Sequence, residues 1–347
     1  MKIQKQPTLA DSICDVRARK VKKTFFTQIN TLIDWENISK MIDKDYSKGK
    51  SATGKPSYDG LLLFKMCLLQ SWYGLSDYEV EDRINDSLSF SYFCGMTIEQ
   101  IAPDHSTLSR FRTALTKTNT FEKLFSSINN QLEKNNIIVK TGLIIDASVI
   151  DTHLRPKGKS NYKVTEDRSE EEVEVKKEYA DSVDKDGTWL KKRGVYHFGF
   201  KKHHVTDDEG LVVGVLTTTA SKNEIANLEE VLDTVNIELP KDIPLKADKG
   251  YQSKKNVEIL KKRKLKNHIL KKALKSKPLT KWERRFNKLV GKTRFKVERT
   301  FGGIKLWFKG GTARYRGMEK MHTQNLMEAI CYNLYRSPGI VASSIKK

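Results

Sequence analysis

Hydrophobic positions in the first part of the chain recur at helical spacing, and they predict an all-helical N-terminal domain over residues 1–135. The run DGLLLFKMCLLQSWY at residues 59–73 is apolar on nearly every side, which predicts a helix buried over most of its surface. Residues 120–135 repeat apolar side chains every three or four positions, as an amphipathic helix does. Ser76 and Glu79 have the spacing of a capping box and predict the start of a further helix between these two.

The pattern changes at Gly142, where the short run GLIIDASVI is rich in β-branched residues and predicts a central strand. Apolar runs at residues 196–205 and 211–219 flank the turn sequence DDEG, which indicates a β-hairpin. The order of elements predicts a mixed α/β layered domain over residues 136–347. Its remaining predicted elements are strands within 243–251 and 267–271 and helices at 221–233, 253–263, 280–307 and 318–336.

Two polar stretches interrupt these elements. Residues 160–194 contain few large apolar side chains, so they are predicted to form a loop within a charged insertion at about 155–194. SKGKSATGKPS at residues 47–57 is predicted to be a loop as well.

Charge adds a candidate partner. The chain carries a net charge of +21, and residues 254–309 contain 21 Lys and Arg against three acidic residues. A positive charge this concentrated predicts binding of a polyanion, and the preferred candidate is a nucleic acid. The alternative is a solvated basic surface that maintains solubility, but solubility does not require the charge to be concentrated.

Cysteine usage and hydropathy exclude several classes of protein. The four cysteines are far apart and form no CxxC pair, which argues against zinc knuckles and a disulfide framework. The N-terminus has no apolar run of signal-peptide length, and no stretch approaches the roughly 20 apolar residues that span a bilayer. We therefore expect a cytoplasmic protein.

Three acidic residues stand out as candidate metal ligands. Asp146 and Asp248 lie at the polar ends of predicted strands, where ligands gather in open α/β sheets, and Glu298 lies on a predicted helix. Three such carboxylates could hold two Mg²⁺ ions for an in-line phosphoryl transfer. Each residue alone has a simpler explanation, since an Asp at a strand end often forms a turn and a helical Glu among cations often forms a surface ion pair.

Basic residues on the same helical face as Glu298 strengthen its interpretation as a metal ligand. At 3.6 residues per turn, Arg294, Glu298 and Lys305 fall on one face of a helix, which fits a metal ligand beside groups that bind phosphates. Gly302 and Gly303 favour a break in that helix before Lys305.

These residues resemble part of a known signature. The spacing Arg294-x3-Glu298-x6-Lys305 resembles the end of the Tyr/Arg/Glu/Lys signature of bacterial insertion-sequence DDE transposases, and most closely the insertion sequence five group. PDHSTLSRFR, LIIDASVID, YHFGFKKHHVTDDEG and ADKGYQS resemble other segments of that family, in the family's order. Two positions depart from the pattern: Gly291 stands where the signature tyrosine is expected, and Asn223 and Glu224 stand where such families often have a His-Asp pair.

The resemblance implies a ribonuclease-H-like catalytic domain preceded by the helical DNA-binding domain. It implies Asp146, Asp248 and Glu298 as ligands of two Mg²⁺ ions, with Mn²⁺ as a substitute. The expected partners are terminal inverted repeats and target DNA, bound by a homodimer or a higher assembly of a nucleoid-associated bacterial enzyme. The basic residues expected to contact DNA are Arg294, Lys305, Lys201, Lys191, Lys192 and Arg299.

Local and functional alternatives remain open at this point. Asp151 is five residues from Asp146 and would face the other way on a strand, so Asp146, which adjoins the apolar run, is preferred. Trp189 could stack on a flipped base or anchor a loop.

The function also has alternatives. The carboxylates of Asp146, Asp248 and Glu298 would equally serve a nuclease that cuts DNA without joining it. A non-catalytic DNA-binding derivative of a transposase is the third reading.

Overall fold

Helices make up the first part of the chain. The structure, a computed structural model, describes residues 20–46, 58–157, 162–167, 174–273 and 278–345. The predicted loop at residues 47–57 lies outside the described residues. Helices α1 to α7 span Lys20–Leu32, Trp35–Asp45, Gly60–Tyr73, Asp77–Asp86, Leu88–Phe93, His105–Lys117 and Thr120–Lys134.

Two helices in this part of the chain begin with side-chain caps. Ser76 accepts a hydrogen bond from the Glu79 backbone N–H, and the Glu79 carboxylate accepts one from the Ser76 N–H, so the predicted capping box is confirmed. Asp104 caps α6 by accepting from the Thr107 backbone N–H. These bonds satisfy first-turn N–H groups that have no partner within the helix.

The apolar helix α3 is buried on most of its surface, as its sequence predicts. Ten of its residues are buried, and the indole Nε1 of Trp72 donates to the backbone oxygen of Cys331 at 2.9 Å. Cys331 belongs to the C-terminal helix α11, Met318–Ile345, which is longer than the predicted 318–336. From Met327 onward this helix belongs to the first compact unit of the chain, although the sequence pattern assigned it to the second domain.

A mixed sheet is the centre of the second compact unit. Strands β1 to β8 span Leu143–Asp151, Tyr162–Asp167, Glu174–Tyr179, Thr188–Lys192, Val195–Asp207, Val212–Thr219, Pro244–Ala247 and Lys266–Ile269. The strand order is β4-β5-β1-β7-β8, and β6 pairs with β5. Strand β5 is antiparallel to β1 and β6, whereas β7 is parallel to β1 and β8. This is the mixed sheet of a ribonuclease-H-like fold, and it confirms the predicted fold class.

The charged segment before the hairpin is more ordered than its composition predicts. Residues 162–167 and 174–179 form a two-stranded antiparallel sheet of their own. Strand β4, at 188–192, pairs with the first part of β5. The prediction of a loop over 160–194 was therefore wrong for these stretches, because backbone pairing between strands does not require large apolar side chains.

Helix α10, Lys281–Phe308, crosses the sheet and carries the signature residues. Thr280 and Glu283 form a capping box at its start. The helix continues unbroken through Gly302 and Gly303, so the predicted break was wrong. An interior glycine costs a helix only about 1 kcal/mol, and the buried residues Phe301, Ile304 and Phe308 hold this part of α10 in place.

Shorter elements connect the strands at the edge of the sheet. The predicted helix at 221–233 is a 3₁₀ turn at Glu224–Asn227 followed by helix α8, Leu228–Asp233. A second 3₁₀ turn, Lys249–Tyr251, follows β7 and leads to helix α9, Lys254–Lys262. No helix among the described residues is both long and apolar enough to cross a membrane.

Candidate active site

The two predicted aspartates emerge from neighbouring parallel strands. Ile145 of β1 pairs with Ala247 of β7, so Asp146 and Asp248 each lie one residue beyond a paired position. Asp248 ends its strand and caps the following turn by accepting from the Lys249 N–H at 2.7 Å. Asp146 accepts from the Ala147 N–H at 2.8 Å. The parallel register therefore brings together two carboxylates that are 102 positions apart in the sequence.

A guanidinium group lies between these carboxylates. Arg294 Nη2 donates to Asp146 Oδ2 at 3.0 Å, and Arg294 Nη1 is 3.7 Å from Asp248 Oδ1. The Arg294 side chain is only 12% exposed, and its buried Nε has no hydrogen-bond partner among the described residues. The cation thus contacts both aspartates and retains an unused donor.

Burial controls the ionisation of the first aspartate. Desolvation raises the pKa of Asp146 above its ordinary value, and this effect outweighs the opposing charge of Arg294 and the hydrogen bond from Ala147. The negative charges of Glu224 and Asp248 also raise this pKa. The pKa of Asp146 is therefore raised chiefly because its carboxylate is buried, and the charge of one arginine does not offset that burial.

Packing of α10 on β1 sets the position of Arg294. Val297 and Phe301 form a buried cluster with Ile144 of β1. Arg294 lies one turn before Val297 on the same side of the helix, and Ile144 and Asp146 are two residues apart on one face of the strand. The apolar contact of the helix with the strand therefore directs the guanidinium toward Asp146.

Glu298 occupies a different environment from the two aspartates. It lies one turn beyond Arg294 on α10, and it is exposed. No group of three or more His, Cys, Asp or Glu side chains in the described part of the chain is arranged to hold a metal ion. The structure thus brings Asp146 and Asp248 together and does not gather Glu298 with them.

The donor set of the paired aspartates suits a hard divalent cation. Their carboxylate oxygens converge on one positive group, Arg294, and Mg²⁺ is usually bound by one or two carboxylates together with substrate phosphate. Asp146 and Asp248 would provide these oxygens, and Glu298 is within one helical turn of the arginine that they share.

The predicted DNA-contacting residues fall into two groups. Lys305, Lys191, Lys192 and Arg299 are exposed. Desolvation lowers the pKa of Lys305, and the positive charges of Lys202 and Lys192 lower it further.

Lys201 differs from the exposed group. It is buried, and its Nζ donates to the backbone oxygen of Lys222 at 2.8 Å and is 3.6 Å from a Glu224 oxygen. An amine held in this way inside the protein balances a carboxylate and is not presented to a surface.

The alternative aspartate and the tryptophan have structural partners. Asp151 is 3.0 Å from His197 Nδ1, and Trp189 packs against Phe198 with ring centroids 5.1 Å apart. Asp151 therefore does not share Arg294 with Asp146 and Asp248. The contact of Trp189 favours its anchoring role in β4.

Sequence reasoning assigned no role to Glu224 or Tyr251, although both lie near the two aspartates. Glu224 is the carboxylate that faces Lys201, and its charge acts on Asp146. Tyr251 is fully buried, and its pKa is raised well above the ordinary value by burial and then by the charges of Glu224 and Asp146. The sequence signal for Glu224 was its place after the hairpin, at a position where such families often have a His-Asp pair.

Comparison with known proteins identifies the family. Residues 138–334 match the Transposase DDE domain, and residues 15–114 match the Transposase domain (DUF772). The protein belongs to the DDE transposases. These enzymes transfer phosphoryl groups on DNA, so the chain is an enzyme of that class.

A curated relative supports the same assignment. The transposase is 33% identical over 230 residues to the transposase for insertion sequence element IS1106 of Neisseria meningitidis serogroup B, which covers 66% of this chain and 76% of the relative. Among solved structures, the piggyBac transposase synaptic complex with hairpin DNA aligns with 97% of this chain and 76% of its own chain, at 12% identity and a TM-score of 0.45. The Mos1 strand transfer complex aligns with 92% of this chain and 96% of its own, at 11% identity and a TM-score of 0.21.

Proposed function

We propose that this transposase cleaves DNA at the ends of its own insertion sequence and joins the freed 3′-OH to target DNA, with Mg²⁺ as its cofactor. The observation that carries the proposal is the pairing of Asp146 and Asp248 around Arg294 at the end of two parallel strands. Family membership supports divalent-cation chemistry, and the hard oxygen ligands of this site favour Mg²⁺. Placement in the insertion sequence five group rests on the signature spacing.

The proposed reaction has two steps that need no protein nucleophile. Water attacks the phosphorus at the transposon end, and the 3′ oxygen leaves as a free hydroxyl. That hydroxyl then attacks a phosphorus of the target strand and displaces the target's own 3′ oxygen. Two bound cations would activate the attacking oxygen and stabilise the leaving one. Asp146, Asp248 and Glu298 would hold these ions, and Arg294 would move from the aspartates to a phosphate oxygen.

The basic surface supports DNA as the partner. Four of the predicted contacts are exposed cations that can reach phosphates: Lys305, Lys191, Lys192 and Arg299. The 18 excess positive charges of residues 254–309 would supply affinity that does not depend on sequence and that falls steeply with salt. The helical domain would recognise the terminal inverted repeats, and a homodimer or a higher assembly would hold two ends together.

Asp248→Asn tests the proposal with DNA that carries labelled transposon ends. We expect the variant to lose cleavage and strand transfer in Mg²⁺ while it still binds the end repeats, since the amide retains the shape of the side chain but not its charge. Asp233→Asn, an exposed aspartate of α8, is the matched control and should keep full activity. Strand transfer at the wild-type rate by Asp248→Asn would disprove the role of this site.

The same assay separates the alternative activities. A nuclease would release the labelled ends and never join them to target DNA, and a non-catalytic DNA-binding derivative would show neither product. Short inverted repeats bounded by a target duplication around the gene would independently support transposition.

A further inference from the structure

Strands β4 and β5 form a hairpin whose tip, residues 191–196, is exposed on both strands. Lys192 pairs with Val195, so Arg193 and Gly194 form a two-residue loop between the strands. Both loop residues have a positive φ, 50° and 84°, as a type I′ turn requires. All six residues of the hairpin tip are exposed. In the described part of the chain, the tip therefore extends from the sheet with its side chains open to solvent.

The hairpin tip combines cations with exposed apolar side chains. Lys191, Lys192 and Arg193 are consecutive, and neither strand β4 nor the turn contains an acidic residue. Val195 is 57% exposed and Tyr196 is 60% exposed. The ammonium of Lys191 lies 5.0 Å from the centroid of the Tyr196 ring, so a cation and an aromatic ring are held on the same face of the hairpin.

Two simpler explanations account for only part of this composition. Strand β4 is an edge of the sheet, and lysines on an edge strand prevent its pairing with another chain. That explanation does not extend to Val195 and Tyr196, because exposed apolar side chains favour association. The turn does not explain Arg193 either, since type I′ turns favour Asn, Asp and Gly at this position.

Strand β5 connects the hairpin tip to the catalytic strand β1. His204 of β5 is opposite Asp146, and His197 Nδ1 lies 3.0 Å from an Asp151 oxygen at the end of β1. Tyr196 is eight residues before His204 in the same strand, a length of at most about 26 Å. The bases of a DNA strand are 3.4 Å apart along the duplex axis. A duplex that is held at Asp146 and runs along β5 would therefore pass the tip within about eight base pairs of the cut.

We propose that the hairpin tip enters the major groove of the DNA within about eight base pairs of the cut. The major groove is about 12 Å wide and admits a two-stranded β-ribbon. The cations of the tip would bind phosphates beside the groove, and Val195 and Tyr196 would contact base edges. The inference adds these two residues and Arg193 to those expected at the DNA. It rests on the proposed function, because that function places the scissile phosphate at Asp146.

A second copy of the chain is the competing occupant of the hairpin tip. The chain has a net charge of +21, and two copies therefore repel each other at a tip that carries only positive charges. DNA is the occupant whose charge complements this surface.

Dimethyl sulfate footprinting tests the groove contact, because this reagent methylates guanine N7 in the major groove. The probe is a labelled duplex with one transposon end and its flanking DNA, bound in a chelator so that no cleavage occurs. We expect wild type to protect guanines within about eight base pairs of the cut. The double variant Val195→Thr, Tyr196→Thr keeps β propensity, and methylation of these guanines should return to within twofold of free DNA. Val257→Thr, an exposed valine of α9, is the control and should keep the protection.

The salt dependence of DNA binding tests the phosphate contacts. The double variant Lys192→Thr, Arg193→Asn removes two charges from the tip, and asparagine keeps the type I′ turn. The slope of log Kd against log salt should decrease by about 1.8, since each phosphate contact contributes about 0.9. Lys241→Thr, an exposed lysine before β7, is the matched control and should leave the slope unchanged.

Three results would overturn the inference. They are unprotected guanines throughout this stretch in wild type, full protection in the Val195, Tyr196 variant, and an unchanged slope in the Lys192, Arg193 variant. Sedimentation velocity without DNA examines the competing occupant, and dissociation of an assembly by the Val195, Tyr196 variant would assign the tip to a second copy instead. Thermal melting verifies that each variant is folded. None of these results bears on the proposed function, which fails only if Asp248→Asn retains strand transfer.

Discussion

Two arginine–aspartate pairs in this protein consist of the same chemical groups, but they differ in how fully their polar atoms are hydrogen-bonded. In the helical unit, Arg112 donates to Asp77 at 2.6 Å and to Gln70 at 3.2 Å, and Gln70 in turn donates to Asp77. In the catalytic unit, Arg294 donates to Asp146 and approaches Asp248, but its Nε has no partner among the described residues. The first arrangement is a closed set of hydrogen bonds, and the second leaves capacity for a ligand.

The ionisation of the two aspartates follows the same contrast. Burial raises the pKa of Asp77, but the hydrogen bond and the charge of Arg112, with the help of Gln70, bring it below its ordinary value. For Asp146, burial outweighs Arg294, and the pKa is raised. A complete set of partners therefore stabilises the charged form of Asp77, which serves the fold. The incomplete set around Asp146 leaves its carboxylate available for a stronger cation.

Removal of the aspartate charge gives the largest expected difference. Asp146→Asn should reduce DNA cleavage by at least about a thousandfold, because the loss of a ligand removes transition-state stabilisation. Asp77→Asn should leave the activity per folded molecule unchanged and should lower the free energy of unfolding by roughly 3 kcal/mol, as expected when a buried pair loses one partner. Labelled-end cleavage and urea denaturation of both variants measure the two effects. Equal loss of activity in the two variants would remove the distinction.

Substitution of Arg294 and Arg112, the cations of the two pairs, tests the same distinction. Arg294→Gln should reduce cleavage by about a hundredfold, since the loss of one preorganised donor typically has that effect, and should change the free energy of unfolding by less than about 1 kcal/mol. Arg112→Gln should destabilise the fold by about 3 kcal/mol and leave the activity of the folded fraction intact. A large destabilisation by Arg294→Gln would show that Arg294 has a structural role.

The unsatisfied hydroxyl near Asp146 predicts a small gain in stability. Tyr251→Phe removes a buried hydroxyl that has no hydrogen-bond partner in the described part of the chain, so the free energy of unfolding without metal should rise by about 1 kcal/mol. Thermal melting in the presence of a chelator measures this change. A loss of stability would mean that the hydroxyl has a partner in the metal-free protein.

The pH dependence of stability gives the smallest and most specific contrast. The folded pKa of Asp77 is lowered, so its contribution is present above the unfolded pKa near 3.8 and is lost as the pH falls through the folded pKa. The folded pKa of Asp146 is raised, so stability falls as the pH rises from about 3.8 through the folded pKa. Denaturation of wild type, Asp77→Asn and Asp146→Asn without metal between pH 3 and pH 6 gives the free energy of unfolding as a function of pH. The two substitutions should change the slope of this curve in opposite directions. Slopes of the same sign would contradict the assigned shifts.

Local patterns predicted most of the elements of this fold. The β-branched run after Gly142, the hairpin around DDEG and the apolar helix α3 depend on side-chain periodicity and turn residues, which are properties of neighbouring positions. Strand β4 and the paired strands β2 and β3 were missed because the pairing of their backbones leaves no apolar pattern in the sequence. The continuity of α10 through Gly302 and Gly303 was missed because tertiary packing overrides helix propensity.

The sequence by itself determined the two strand-end aspartates, the basic segment and the family signature, because each lies in a short stretch with its own pattern. Only the tertiary structure decided that Arg294 lies between Asp146 and Asp248, that Lys201 is buried against Glu224, and that Glu298 is exposed outside the pair. Strand register and helix packing set these contacts, and both depend on residues far apart in the chain. A carboxylate's role here follows from the cations and donors that the fold places around it, and no local pattern encodes that arrangement.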